Sequence, residues 1–192
     1  MIEKMAIRII DIMEKDKLLS SSEREHHIYA LITMVERWIT LTTILVLSIL
    51  WRNLISTVLF LTFFFSLRNR TGGYHAKKFW QCYIGTVLTY IAVVFINPIW
   101  NNHIELLVGM VVVSVISILK VGTVNHPNMN LEVEEIIEME KATKYLLALQ
   151  CIAIVLGIVF RLDISYVGFM ADAIILCALL QFVAKIIKQE IR

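Results

Sequence analysis

The chain has 192 residues, of which 58% are hydrophobic and only 18% are charged, and its mean hydropathy is +0.75. Soluble domains carry about 45–50% apolar and about 25% charged residues, so the composition argues against ordinary soluble enzymes, nucleic-acid-binding proteins and disordered chains. A net charge of +2 is too small to indicate a polyanionic partner, and the low content of glycine and proline favours long helices, so we predict an all-α polytopic membrane protein.

The first 27 residues predict an amphipathic helix and not a secretory signal. They contain five basic and six acidic residues, and they lack a continuous apolar segment. Apolar side chains recur at helical spacing at Ile2, Met5, Ile9, Ile12 and Met13. We expect this helix to lie on the cytoplasmic surface of the membrane. The alternative is that it packs on the cytoplasmic loops of the protein itself.

Six apolar stretches follow and predict six transmembrane helices. They cover about 28–50, 54–67, 79–100, 104–121, 144–160 and 164–184. A span needs roughly 20 apolar residues, and the second stretch would reach only about 21 Å at about 1.5 Å per residue. That stretch could be extended by a turn, could thin the bilayer locally, or could form half of a re-entrant pair. A competing assignment joins residues 38–67 into one long tilted helix.

The distribution of positive charge favours six spans. With the N-terminus inside, the four cytoplasmic segments carry fifteen of the eighteen Lys and Arg residues. Fusing the first two spans would place the basic segment 68–78 outside, against the positive-inside rule. We therefore expect a single integral domain over residues 1–192 in the cell membrane, with both termini in the cytoplasm.

The longest polar connection, residues 122–143, is expected in the cytoplasm. It opens with the turn-forming run Asn125-His126-Pro127-Asn128. Glutamates then alternate with apolar residues, which predicts a short helix with an acidic face that enters the fifth span at residues 141–144. The glutamates are Glu132, Glu134, Glu135, Glu138 and Glu140.

A thiol and an imidazole lie close together after the second predicted span. Gly72 and Gly73 are expected to end that helix, since glycine permits a sharp turn with positive φ. Beyond the turn, His75 and Cys82 fall at the cytoplasmic mouth of the bundle. These are the minimum parts of a cysteine nucleophile, because the imidazole takes the thiol proton and the ion pair stabilises the thiolate.

The spacing sets a condition on this pair. Seven residues of continuous helix would hold the two side chains about 10.5 Å apart along the axis, which is beyond hydrogen-bond distance. His75 must therefore lie in the bent segment and fold back over the first turns of the third span. Nearby cations at Arg70, Lys77 and Lys78 would favour the thiolate. From spacing alone, the alternative is a basic cytoplasmic loop beside an incidental cysteine.

The run Arg70-Thr71-Gly72-Gly73-Tyr74-His75-Ala76, followed by Cys82, resembles the signature of the accessory gene regulator B (AgrB) family. These are bacterial integral-membrane cysteine endopeptidases that process quorum-sensing pro-peptides. Chain length, the amphipathic N-terminus, the hydrophobic profile and the proline-containing loop also fit, so the resemblance covers essentially the whole chain. The chain departs from the family pattern at Met129-Asn130, where lysine and proline often follow.

The resemblance implies that Cys82 is the nucleophile and His75 the general base, with Arg70, Gly72 and Gly73 shaping the site. The implied substrate is an AgrD-like precursor, whose C-terminal tail is released through a Cys82 acyl-enzyme. An internal thiol or hydroxyl of the precursor would then close a thiolactone or lactone ring.

Several polar residues could complete such a site. Arg70, Lys77 and Lys78 could attract the acidic tail of the precursor. Gln81 adjoins the nucleophile, and Asn125 or Asn128 could approach from the long loop, as a third catalytic group or an oxyanion donor.

Other ionisable and thiol groups invite weaker interpretations. Glu36, Arg37 and Asp172 lie inside predicted spans, where ionisable groups are costly and are either functional or structural. Cys151 and Cys177 lie in apolar helices without a nearby histidine and are expected to behave as small hydrophobic residues. The sequence has no metal-ligand motif, so neither a metal nor a cofactor is expected.

Other functions compete with proteolysis. A non-proteolytic peptide transporter would need a polar path through the bundle, and a sensor subunit or scaffold would leave the His75/Cys82 pair idle. The expected partners are the precursor peptide and the lipid bilayer, with no nucleic acid. A homodimer is a reasonable expectation for so small an integral enzyme.

Overall fold

The computed structural model describes residues 2–15, 24–74, 79–125 and 132–187. These residues form seven α-helices and no β-strand, which confirms the predicted all-α class for them. The helices are α1 (Ile2–Lys15), α2 (Arg24–Leu50), α3 (Leu54–Thr71), α4 (Phe79–Ile96), α5 (Ile104–Val121), α6 (Val133–Val159) and α7 (Ile164–Ile186). A short 3₁₀ helix, Asn97–Asn101, continues α4.

Five of the described helices are long and apolar enough to cross a bilayer, namely α2, α4 with its 3₁₀ extension, α5, α6 and α7. This supports a multi-pass membrane protein. The predicted second span lies within α3, which runs one turn further and carries Arg68 and Arg70 in its last turn. Because of that polar turn, α3 does not reach the hydropathy of the other five, and a sixth span stays a prediction.

The turn between α2 and α3 excludes the fused helix 38–67. Arg52 has a φ of 58° and so leaves the right-handed helical conformation. The backbone N–H of Asn53 turns back and donates to the Ser48 carbonyl at 2.8 Å. The chain therefore reverses at this point.

The acidic segment belongs to α6. We predicted a short helix before a span at 144–160, but a single helix of 27 residues runs from Val133 to Val159. Glu134 and Glu135 lie in its first turn, where their negative charge is attracted to the positive end of the helix dipole. The Glu135 side chain also accepts a hydrogen bond from the backbone N–H of Glu132 at 2.9 Å. The predicted acidic helix and the fifth span are thus parts of one continuous helix, and the start of the span within it stays a prediction.

Helix α1 packs against α2. Ala6 and Ile10 are buried, and Arg24 donates to Asp11 at 2.6 Å. Met5, Ile9 and Ile12 remain exposed, as do the charged side chains of Arg8 and Lys15. A helix with an exposed apolar edge suits a membrane surface, so the predicted interfacial position remains open and is compatible with this packing.

Helix α7 is the centre of the bundle. Most of α7 is buried, and it contacts α3, α5, α6 and the 3₁₀ helix. Few residues of α2, by contrast, are buried. Small residues allow this close packing: a Cβ on Gly168 would collide with Asn97 and would lie 2.8 Å from Trp100. Helix α7 therefore joins the surrounding helices into one bundle.

The buried carboxyl of Asp172 is accounted for by its packing. Its two oxygens lie 3.1 and 3.3 Å from the indole Nε1 of Trp100, which donates to them. Asn97 and Ser165 are joined beside it, with the Asn97 amide donating to the Ser165 carbonyl at 3.2 Å. This polar cluster lies towards the start of α7, away from the Gly72 turn.

We expect Asp172→Ala to destabilise the protein by about 1–3 kcal/mol, because it leaves the Trp100 N–H buried without an acceptor. Unfolding of the detergent-solubilised protein measures the effect. In a double-mutant cycle with Trp100→Phe, the two changes should be non-additive. Fully additive losses would mean that the hydrogen bond contributes nothing.

Candidate active site

A glycine turn ends α3. Gly72 and Gly73 have φ values of 64° and 130°, which side chains with a Cβ rarely adopt. The turn is also crowded, since a Cβ on Gly72 would collide with the carbonyl oxygen of Val124. The predicted turn with positive φ is confirmed, and both glycines are required by conformation and by space.

Arg68 holds this turn from within. Its guanidinium donates to the carbonyl oxygens of Gly72 and Tyr74, the latter at 2.6 Å. Charged donors make stronger hydrogen bonds than neutral ones. A single side chain therefore fixes the backbone on both sides of Gly73.

The three cysteines differ in exposure. All three lie in the described ranges and are free thiols: Cys82 is exposed, Cys151 is half-buried and Cys177 is 0% exposed. The Cys177 sulfur lies 3.8 Å from the Phe64 carbonyl oxygen inside the bundle. Cys82 is therefore the most accessible of the three thiols.

The connection after α5 lies against the end of α3. The Val124 N–H donates to the Thr71 carbonyl at 2.9 Å, and the Thr123 hydroxyl donates to the Arg70 carbonyl at 3.1 Å. Asn125 follows directly and is half-buried. The structure therefore brings Asn125 beside the glycine turn, whereas Asn128 is outside the described residues.

The other predicted site residues have different surroundings. Arg70 directs its guanidinium to the Ser66 carbonyl of its own helix at 2.8 Å. Gln81 is exposed beside Cys82. His75, Lys77 and Lys78 lie outside the described residues, and so does the predicted approach of His75 to Cys82.

Aromatic residues surround the start of α4. Trp80 is exposed, and the Tyr83 hydroxyl lies 3.1 Å from the Thr43 hydroxyl of α2. This contact ties the helix that carries Cys82 to α2.

The charged pair in α2 lies near the same end of the bundle. Arg37 lines a groove between α2 and α3, together with Trp38 and Asn69. Glu36 is half-buried, and among the described residues neither Glu36 nor Arg37 forms an ion pair.

The model of one protein family, Accessory gene regulator B, matches residues 6–185 of this chain. The chain belongs to the AgrB family. No curated protein and no solved structure matches it. Membership points to processing of a quorum-sensing pro-peptide, and the five apolar helices agree with an AgrB protein embedded in the membrane.

Sequence reasoning on this AgrB chain missed Arg68. A basic residue in the last turn of a helix can reach the free carbonyls beyond it, and both Arg68 and Arg70 satisfy that pattern. Only the rotation of α3 against α4 and α7 shows which guanidinium faces the turn. The signal was therefore present in the sequence but ambiguous.

We expect Gly72→Ala to lower the free energy of unfolding by about 1–3 kcal/mol, because alanine at this φ is strained and its Cβ collides with the backbone of Val124. Gly85→Ala in α4 is the control, since nothing lies within 4 Å of its added Cβ. Unfolding in detergent compares the two. Equal stability of both variants would contradict the proposed constraint.

We expect Arg68→Met to lower the free energy of unfolding by about 1–3 kcal/mol, because it leaves the Gly72 and Tyr74 carbonyls without that donor. Unfolding of the detergent-solubilised protein measures the effect. Arg70→Met is the matched control, because its guanidinium bonds to its own helix. Equal stability of the two variants would mean that Arg68 does not hold the turn.

Proposed function

We propose that this AgrB protein is a membrane cysteine endopeptidase that removes the C-terminal tail of an AgrD-like pro-peptide, with Cys82 as nucleophile and His75 as general base. The observation that carries the proposal is the exposed Cys82 thiol near the start of α4, the helix that follows the glycine turn held by the Arg68 guanidinium. Family membership supports the class of substrate.

In the first step, the His75 imidazole takes the proton from the Cys82 sulfur. The thiolate then attacks the carbonyl carbon of the peptide bond that precedes the tail. As the tetrahedral intermediate collapses, the C–N bond breaks and the imidazolium returns the proton to the departing amine. The tail leaves with a free N-terminus, and the rest of the precursor stays on Cys82 as a thioester.

In the second step, an internal thiol or hydroxyl of the precursor attacks the thioester. Cys82 leaves as the thiolate, recovers a proton, and the peptide closes as a thiolactone or lactone. Water at the same carbonyl would yield a linear peptide, so the site must exclude it. The exposed Trp80 and the Tyr83 ring beside α2 suit a site at the membrane interface, where a bound peptide could cover the thioester.

The charge around the turn suits a tail that is acidic. Arg70 at the end of α3, with Lys77 and Lys78 in the following segment, would attract the tail and place the scissile bond near Cys82. We further propose that the site faces the cytoplasm, with α3 as the sixth span and both termini inside. A homodimer in the membrane completes this proposal.

Co-expression with the precursor encoded beside the gene tests the activity. Cys82→Ala and Cys82→Ser should reduce tail release below about 1% of wild type, because no other group supplies the acyl-enzyme. Mass spectrometry of the precursor measures tail release and ring closure.

Cys151→Ala and Cys177→Ala serve as matched controls and should retain cleavage. Tail release by Cys82→Ala would overturn the mechanism, whereas export of an uncleaved precursor by the wild type would favour a transporter. Near-normal cleavage by His75→Ala would remove His75 as the base.

A further inference from the structure

Gln181 joins the ends of two helices. It lies near the end of α7 and is 0% exposed. Its amide nitrogen donates to the Thr71 carbonyl at 3.2 Å and to the Gly122 carbonyl at 2.8 Å. Carbonyls at the end of a helix have no partner within it, so one side chain satisfies the ends of both α3 and α5.

The residue before it contacts the other side of the turn. The Leu180 carbonyl accepts a hydrogen bond from the Tyr74 N–H at 3.0 Å. A Cβ on Gly73 would lie 3.3 Å from the carbonyl carbon of Leu180. Two adjacent residues of α7 therefore bound the glycine turn from Thr71 to Tyr74.

The connection after α5 also contacts the end of α3. The Thr71 carbonyl accepts from both Gln181 and Val124, which uses both of its lone pairs. Thr123 adds a bond to Arg70. We call this meeting of Arg70, Thr71, Gly122, Thr123 and Gln181 the junction.

A buried glutamine has a drawback at this place. The Gln181 Oε1 atom finds no hydrogen-bond donor among the described residues, and an unpaired buried acceptor opposes stability. An apolar side chain would avoid that penalty but could not join the two helix ends. The Gln181 amide is therefore explained by its two hydrogen bonds, which hold the ends of α3 and α5 together.

We infer that Gln181 is a positioning residue for acyl transfer: through the junction it fixes the glycine turn from which the chain continues to α4 and Cys82. This inference rests on the proposed function. Gln181 itself touches neither the thiol nor the peptide. It acts by holding the α3 end, the α5 connection and α7 in one arrangement.

Gln150 provides a matched control. It is also buried, its amide donates to the Phe63 carbonyl at 3.0 Å and to the Ser66 hydroxyl at 3.1 Å, and its Oε1 atom likewise finds no donor in the described ranges. Ser66 precedes Gly72 by six residues, which is about 9 Å along α3. The same chemistry is thus present on the same helix, away from the turn.

The experiment compares Gln181→Met with Gln150→Met in the full chain, in detergent. It measures the unfolding midpoint, and kcat and KM for tail release from the precursor. We expect both variants to lower the midpoint similarly. Gln181→Met should lower kcat at least tenfold, with KM within twofold of wild type, whereas Gln150→Met should keep kcat within twofold.

Equal kcat for the two folded variants would overturn the inference. If Gln181→Met does not fold, Thr123→Val replaces it as the test variant, since it removes one hydrogen bond of the junction and keeps the shape of the side chain. A kcat lowered two- to fivefold supports the inference, and an unchanged kcat overturns it. A wild-type chain that releases no tail would instead refute the proposed function. Wild-type cleavage with unchanged Gln181→Met kinetics refutes the positioning role alone.

Discussion

The backbone carbonyls at the end of α3 must find donors at the edge of an apolar bundle. A helix end leaves these groups without internal partners, and burying them unpaired is costly. Three donors satisfy them from different directions: the Arg68 guanidinium, the Gln181 amide and the Val124 N–H. The candidate site depends on this arrangement, because the same bonds fix the turn beside the exposed thiol.

Helix α7 links the two ends of the bundle. Ser165 at its start accepts a hydrogen bond from Asn97, Asp172 further along accepts from Trp100, and near its end Leu180 and Gln181 bond to the glycine turn. A helix that is hydrogen-bonded at both ends and packed along its length cannot slide without breaking polar contacts inside an apolar environment. This rigidity suits the proposed enzyme, which would have to keep a thioester aligned with an internal nucleophile and away from water.

Much of the fold followed from composition and periodicity. The all-α class, the break at Arg52–Asn53 and the turn at Gly72–Gly73 depend on local conformational preferences, which a sequence displays directly. The predicted acidic helix and the apolar stretch at 144–160 form one continuous helix, α6. Helix α3 continues one turn beyond the apolar stretch 54–67, since its last turn is polar but still helical.

The sequence by itself determined the membrane class and the family signature, and it led to the proposal of Cys82 and His75 as reacting groups, because all of these depend on residue type and spacing along the chain. Tertiary structure decided that Cys82 is exposed while Cys177 is buried, and that Arg68 faces the turn. It also brought Gln181 to Thr71, residues far apart in sequence. Such contacts depend on how helices rotate and pack against one another, which no local pattern encodes.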